Sequence, residues 1–255
     1  MIRRVALLLT ACAIAAAAAF AVVSVMAAGA GTPHGPVSAG TPAPDLNGST
    51  NRRVPHLALV GESGRRTSLA ALRGRWVVLT PALTLCHEVC PLTTGALLEL
   101  RRRLRRQGLS DRVTLAEITV DPWRDTPGRL RAYRRLVGLR GVRLFTGSHA
   151  QIKRLWDFFG VYFRRVPQGN PPDMDWLTGK PEHMDVQHTD ALFVLDPRGH
   201  ERAATVGMPD VGGRLAPKLR KLLNESGQAN LRRPNLPWTP ARVMAALRRL
   251  GLGAS

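Results

Sequence analysis

Cysteine is scarce. A chain of 255 residues holds three of them, Cys12, Cys86 and Cys90, too few for a disulfide-stapled scaffold. Aromatic residues make up only 5% and do not interleave with the basic ones, which argues against a base-stacking nucleic-acid surface. Lysine is nearly missing, with Lys153, Lys180, Lys218 and Lys221 the only examples, so arginine carries almost all the positive charge. Acidic residues are few as well: 18 Asp+Glu stand against 37 Lys+Arg, a formal net charge of +19. That surplus suits weak attraction to an anionic membrane better than nucleic-acid recognition. No repeat is present, which excludes collagen-like and low-complexity classes. What is plentiful is apolar material. At 44% hydrophobic the chain can bury a sizeable core, and disorder throughout is excluded.

The chain starts with Arg3 and Arg4 and then runs uncharged from Val5 to Ala30. A bilayer-spanning helix needs about 20 apolar residues, so the run predicts an N-terminal transmembrane anchor or a long signal segment over 1–30. The two arginines orient it with the remainder outside the cytoplasm. Cys12 follows Leu9-Thr10-Ala11 as in a lipoprotein box, but the stretch before it is short, and it reads as a membrane-buried cysteine. Pro33, Pro36, Pro42 and Pro44 among small polar residues mark 31–50 as an extended linker.

The body alternates between strand and helix patterns. Arg75–Thr80 and Val113–Val120 are apolar, β-branched strand candidates. Between them Pro91 opens a helix, with leucines at helical spacing to about Gln107. Thr126-Pro127 opens a second helix that ends at Gly138, and Ser148 caps a third that runs to Phe159. Val142–Phe145 and Val161–Val166 are short strands, 167–187 reads as a loop, and Ala191–Leu195 pairs in a hairpin with Glu201–Val206. A helix is expected over Val211–Leu223, and a basic amphipathic one over 239–252.

Chemistry concentrates at Cys86-His87-Glu88-Val89-Cys90-Pro91, between a strand and a helix. Residues four apart share one helix face, and the positive helix N-terminus favours thiolate. Such a pair serves redox exchange or a soft metal. His188, just before the Ala191 strand, completes a set of two sulfurs and an imidazole suited to copper and potentially to zinc. His87 is a lesser candidate, and His183 and Met184 could feed metal inward. Asp121 follows the second strand, where ligands collect beyond the carboxyl ends of parallel strands. It would accept a hydrogen bond from a site residue or shape the loop. Asp125 or Thr126 serves as a helix cap.

Four segments together resemble the Sco/SenC family, the copper-binding assembly factors of cytochrome c oxidase. They are Cys86–Pro91, Val120–Pro127, Leu144–Ser148 and Val186–Asp190 continuing to Gly199. The resemblance implies an α/β thioredoxin-like sandwich over 51–228, a central mixed sheet flanked by helices, ahead of a basic tail over 229–255. It implies copper held by Cys86, Cys90 and His188, with Asp121 beside the metal. It also implies a domain on the extracytoplasmic side of a membrane, and the copper-bearing oxidase subunit as partner, with no nucleic acid. His87 departs from the family, where many members have proline. So does Leu83-Thr84-Leu85, in place of an aromatic-containing stretch. The competing function is a thiol–disulfide oxidoreductase acting on the cysteines of exported proteins. It is disfavoured by the x₃ spacing and by a histidine that dithiol exchange does not need.

Overall fold

The computed structural model describes Leu46 and residues 50–253. The uncharged Val5–Ala30 segment, Cys12 and nearly all of the 31–50 linker lie outside these residues. No helix among the described residues is long and apolar enough to cross a membrane.

Three short strands come first: β1 (Arg52–Arg53), β2 (Ala58–Gly61) and β3 (Arg66–Ser68). The βαβ core follows as β4 (Trp76–Ala82), α1 (Cys90–Arg106), β5 (Val113–Thr119), α2 (Pro127–Val137), β6 (Val142–Thr146) and α3 (His149–Phe159). Then come β7 (Phe163–Pro167), β8 (Met184–His188), β9 (Ala191–Leu195) and β10 (His200–Val206). The chain continues through α4 (Pro217–Arg220), α5 (Glu225–Leu231) and α6 (Pro240–Arg249).

Eight strands make one mixed sheet in the order β1-β10-β9-β4-β5-β6-β2-β3. β4, β5 and β6 run parallel, while β9 lies antiparallel to β4. Every residue of β4 and β5 is buried, as expected of strands covered on both faces. Alternation along the strands splits the core in two. Val78, Leu115 and Val194 face one cluster with Leu97 and Leu100 of α1, Leu130 of α2 and Val243 and Leu247 of α6. Val77, Leu79, Ile118 and Phe193 face the other with Ile152, Leu155 and Trp156 of α3. The sheet is therefore sandwiched between α1, α2 and α6 on one side and α3 on the other.

Local sequence explains the helix ends. Ser148 and Gln151 form a capping box at α3, and Gly138 takes the left-handed conformation that closes α2. Two expectations are corrected. The helix over Val211–Leu223 shrinks to the single turn of α4, because Gly212 and Gly213 both sit at positive φ and Pro217 restarts the chain. The 167–187 segment is not all loop, since Met184–Gln187 belong to β8, which pairs antiparallel with β7 in a separate two-stranded sheet. Of the two cap candidates Thr126 caps α2, accepting from the Arg129 amide at 3.2 Å. The amphipathic helix expected near the C-terminus is α6, and it packs along α1. Its Val243, Ala246 and Leu247, together with Trp238 and Leu231, lie in the chain's interior.

Candidate metal centre

β4 and β5 end side by side, and the residues beyond them share one edge of the sheet. Leu83, Thr84 and Leu85 are buried in the turn that leaves β4. Cys90 begins α1, whose N-cap, Val89, offers no side-chain acceptor. The Cys86 sulfur fills that role. It accepts from the Cys90 amide at 3.2 Å and from the Val89 amide at 3.4 Å. The sulfur thus sits where a helix end offers free N–H groups and positive potential.

His188 reaches the pair from the end of β8. Its Nε2 stands 3.9 Å from the Cys90 sulfur, and its Nδ1 lies 3.1 Å from the Thr189 carbonyl, an acceptor. With Nδ1 against the backbone carbonyl, Nε2 is the ring nitrogen that faces the Cys90 sulfur. Both cysteines are free thiols. Hydrogen bonding to Cys90 lowers the Cys86 thiol below the usual cysteine range, helped by the Cys90 amide and His188 and opposed by burial. The same contact, with burial and the Cys86 charge, pushes Cys90 well up. The two thiols are thus pushed in opposite directions.

Among the described residues, no three His, Cys, Asp or Glu side chains stand close enough to hold a metal ion as they are. The chemistry of the donor set nevertheless fits a soft ion. With metal–donor bonds of about 2.0–2.3 Å, a sulfur and a nitrogen on one ion stand ~3.5–4 Å apart, and the Cys90–His188 separation falls in that range.

The remaining candidates have other partners. Asp121 lies on the same edge and is fully buried, but its Oδ2 accepts from Arg124 Nε at 2.5 Å, and its Oδ1 has no partner. Burial raises its carboxyl against the pull of Arg124. His87 turns to Glu182, with Nε2 3.2 Å from Oε1, and to the Leu222 carbonyl, 2.7 Å from Nδ1. Burial opposes its charge, but these two acceptors outweigh it and lift the imidazole to about 9. His183 is exposed and Met184 half-buried on the hairpin.

Several further residues hold the site together. Asp125 is buried, and its carboxylate accepts from the Thr84 hydroxyl at 2.5 Å, the Thr84 amide at 3.2 Å and the Thr119 hydroxyl at 2.6 Å. It thereby ties the turn before Cys86 to the end of β5. Burial and the Asp121 charge lift its carboxyl to about 7. Trp176 donates to the Thr84 carbonyl at 2.6 Å. Arg129 grips Asp175 with two bonds of 2.8 and 2.9 Å. The Asp121-Pro122-Trp123-Arg124-Asp125-Thr126-Pro127 motif was the signal for Arg124 and Asp125. Nothing in the sequence marked Glu182 or Trp176.

The SCO1/SenC family model matches residues 47–224. The chain belongs to the SCO1/SenC family. A Stutzerimonas stutzeri protein whose name describes copper binding is 31% identical over 156 residues, 60% of this chain and 70% of that protein. A Bos taurus mitochondrial SCO2 homolog is 31% identical over 147 residues, and the match spans 56% of this chain but only 49% of that relative. Among solved structures, apo Sco1 from Thermus thermophilus superposes with a TM-score of 0.55 at 21% identity, covering 83% of this chain and 99% of that one. Copper-bound ScoI from Arabidopsis thaliana gives 0.51 at 21% identity, over 60% and 86%. At these identities the structural likenesses speak for the fold: a thioredoxin-like Sco sandwich.

Proposed function

We propose that this SCO1/SenC protein is a copper metallochaperone that takes copper as cargo on Cys86, Cys90 and His188. The reading rests on one observation above the rest. The His188 Nε2 faces the Cys90 sulfur at 3.9 Å while its Nδ1 is occupied by a backbone carbonyl. Two sulfurs hold Cu(I), and the added imidazole extends the set to Cu(II). Asp121 acts through Arg124, as part of the loop that frames the cysteines. The relatives named for copper binding and the copper-bound neighbour support the same cargo. By family, the recipient is the copper-bearing subunit of cytochrome c oxidase. Val5–Ala30 anchors the chain in a membrane with residues 51–228 on the extracytoplasmic side, where copper centres of that kind are assembled.

A second reading is thiol–disulfide exchange at the same pair. The uneven thiols favour it: Cys86 is the attacking sulfur and Cys90 the protonated, resolving one. Copper stoichiometry on the reduced chain separates the two. The copper reading expects one ion per chain. It also expects His188→Ala to lose the Cu(II)–thiolate absorption while keeping Cu(I) on the two sulfurs. No copper uptake, or an unchanged Cu(II) spectrum in His188→Ala, overturns the assignment.

A further inference from the structure

His87 lies between the two cysteines yet makes both of its side-chain hydrogen bonds away from them. Its Nε2 meets Glu182 Oε1 at 3.2 Å and its Nδ1 meets the Leu222 carbonyl at 2.7 Å. Both partners are oxygen acceptors, so the ring donates from both nitrogens. The His87 side chain is only 10% exposed and that of Glu182 2%, which makes this a built contact and not a surface pairing. Glu182 has a second tie. Its Oε2 accepts from Arg124 Nη1 at 3.0 Å, and the same Nη1 donates to the Met184 carbonyl at 2.6 Å. Met184 is the first residue of β8, and His188 is the last.

Among the described residues, β7 and β8 pair only with each other and share no ladder with the main sheet. From its C-terminal side His188 is fixed by β9, which is in the main sheet and starts three residues on. From its N-terminal side, the polar chain His87–Glu182–Arg124–Met184 joins the hairpin to the cysteine turn. We propose that His87 is a positioning residue of the metal centre, fastening the hairpin that ends in His188 to the turn that holds Cys86 and Cys90. The inference rests on the copper reading above and adds a residue to it. His87 touches neither cargo nor sulfur; it acts through Glu182.

Two amide variants of the full chain, held in detergent, separate this role from simple space-filling. In His87→Gln the amide nitrogen extends to where Nε2 stands and keeps the bond to Glu182. In His87→Asn it stops where Nδ1 stands, reaching Leu222 but not Glu182. Backbone hydrogen exchange across residues 182–188 is read on the metal-free chain, and the Cu(II)–thiolate absorption on the loaded one. The expected result is that His87→Asn exchanges ~10-fold faster, the loss of about one charge-assisted hydrogen bond. Its absorption band is also shifted or weakened, while His87→Gln stays close to the unaltered chain. If both variants match the unaltered chain, or if both depart from it equally, the clamp is refuted. Faster exchange in His87→Asn with an unmoved band also refutes it as a positioning residue. A missing band in the unaltered chain refutes the copper reading instead, and the exchange contrast between Asn and Gln then decides the clamp alone.

Discussion

The two halves of the proposed metal centre are held by different physics. Cys86 and Cys90 sit on a strand-to-helix junction whose neighbours, Leu83, Leu85, Leu92 and Leu97, are nearly inaccessible to solvent. His188 sits on a hairpin that lends the core little more than Val186 and Phe163. That hairpin is fastened by discrete polar contacts: Asp175 to Arg129, Trp176 to the Thr84 carbonyl, Glu182 to His87 and Arg124, and Asp173 to Asn224. Apolar packing is non-directional and hard to undo one atom at a time. Polar clamps fix direction, and each contributes little alone. The thiol pair is thus built into the core, while His188 depends on discrete contacts, an arrangement that suits the release step the proposed function requires.

Breaking each half should look different. The largest effect is on the cysteine side: Cys90→Ser should abolish stoichiometric copper, measured as metal per chain after gel filtration, because one thiolate and one imidazole hold Cu(I) poorly. Next comes Leu97→Ala in α1, a fully buried side chain. It should cost about 3–5 kcal/mol of unfolding free energy in a denaturant titration. A third variant probes the sheet beneath both halves. Burial lifts the Glu117 carboxyl to about 7 from 4.5, against the bond from Thr94. Because the folded chain binds that proton more tightly, the group's contribution to stability is full below pH 4.5 and is lost as the pH rises through 7. Glu117→Gln should therefore match the unaltered chain near pH 5 and exceed it by roughly 2–3 kcal/mol at pH 8. Chemical unfolding at the two pH values measures this. The smallest effect on stability belongs to the hairpin. Asp175→Asn breaks a bidentate pair that holds the Asp175 carboxyl well below the usual range. It should cost about 1–2 kcal/mol, and protease nicking between Gln168 and His183 should become measurably faster. Equal nicking would mean that the clamps are redundant.

The same division decides what the sequence disclosed. The run from β4 to α3 was legible because strong apolar periodicity and end signals such as Pro91, Thr126, Gly138 and Ser148 agree with the fold. The thiol pair was legible because its partners are four residues apart. β8 was not: in Met184–His188 only Val186 is buried, so no alternation announces a strand. Glu182 and Trp176 escaped notice because their roles depend on which residues lie across a gap of some ninety positions, and no local pattern encodes that. Asp before Thr-Pro suits a helix cap, and the local pattern at Asp125 offers nothing more. Burial made it a brace for Thr84 instead. The amphipathic stripe near the C-terminus was visible, but not that α1 would be its partner.

That partnership sets an order of events in the cell. The stripe of α1 formed by Leu97, Leu100 and Leu104 is covered along one flank by Val243, Ala246 and Leu247 of α6, which a ribosome makes last of all the helices described. A product cut short by a frameshift before Pro240 would carry Cys86, Cys90 and His188 intact in its primary structure and still leave the thiols on an unfinished platform. Such a product would expose that apolar stripe to solvent and be cut by proteases more readily than the whole chain.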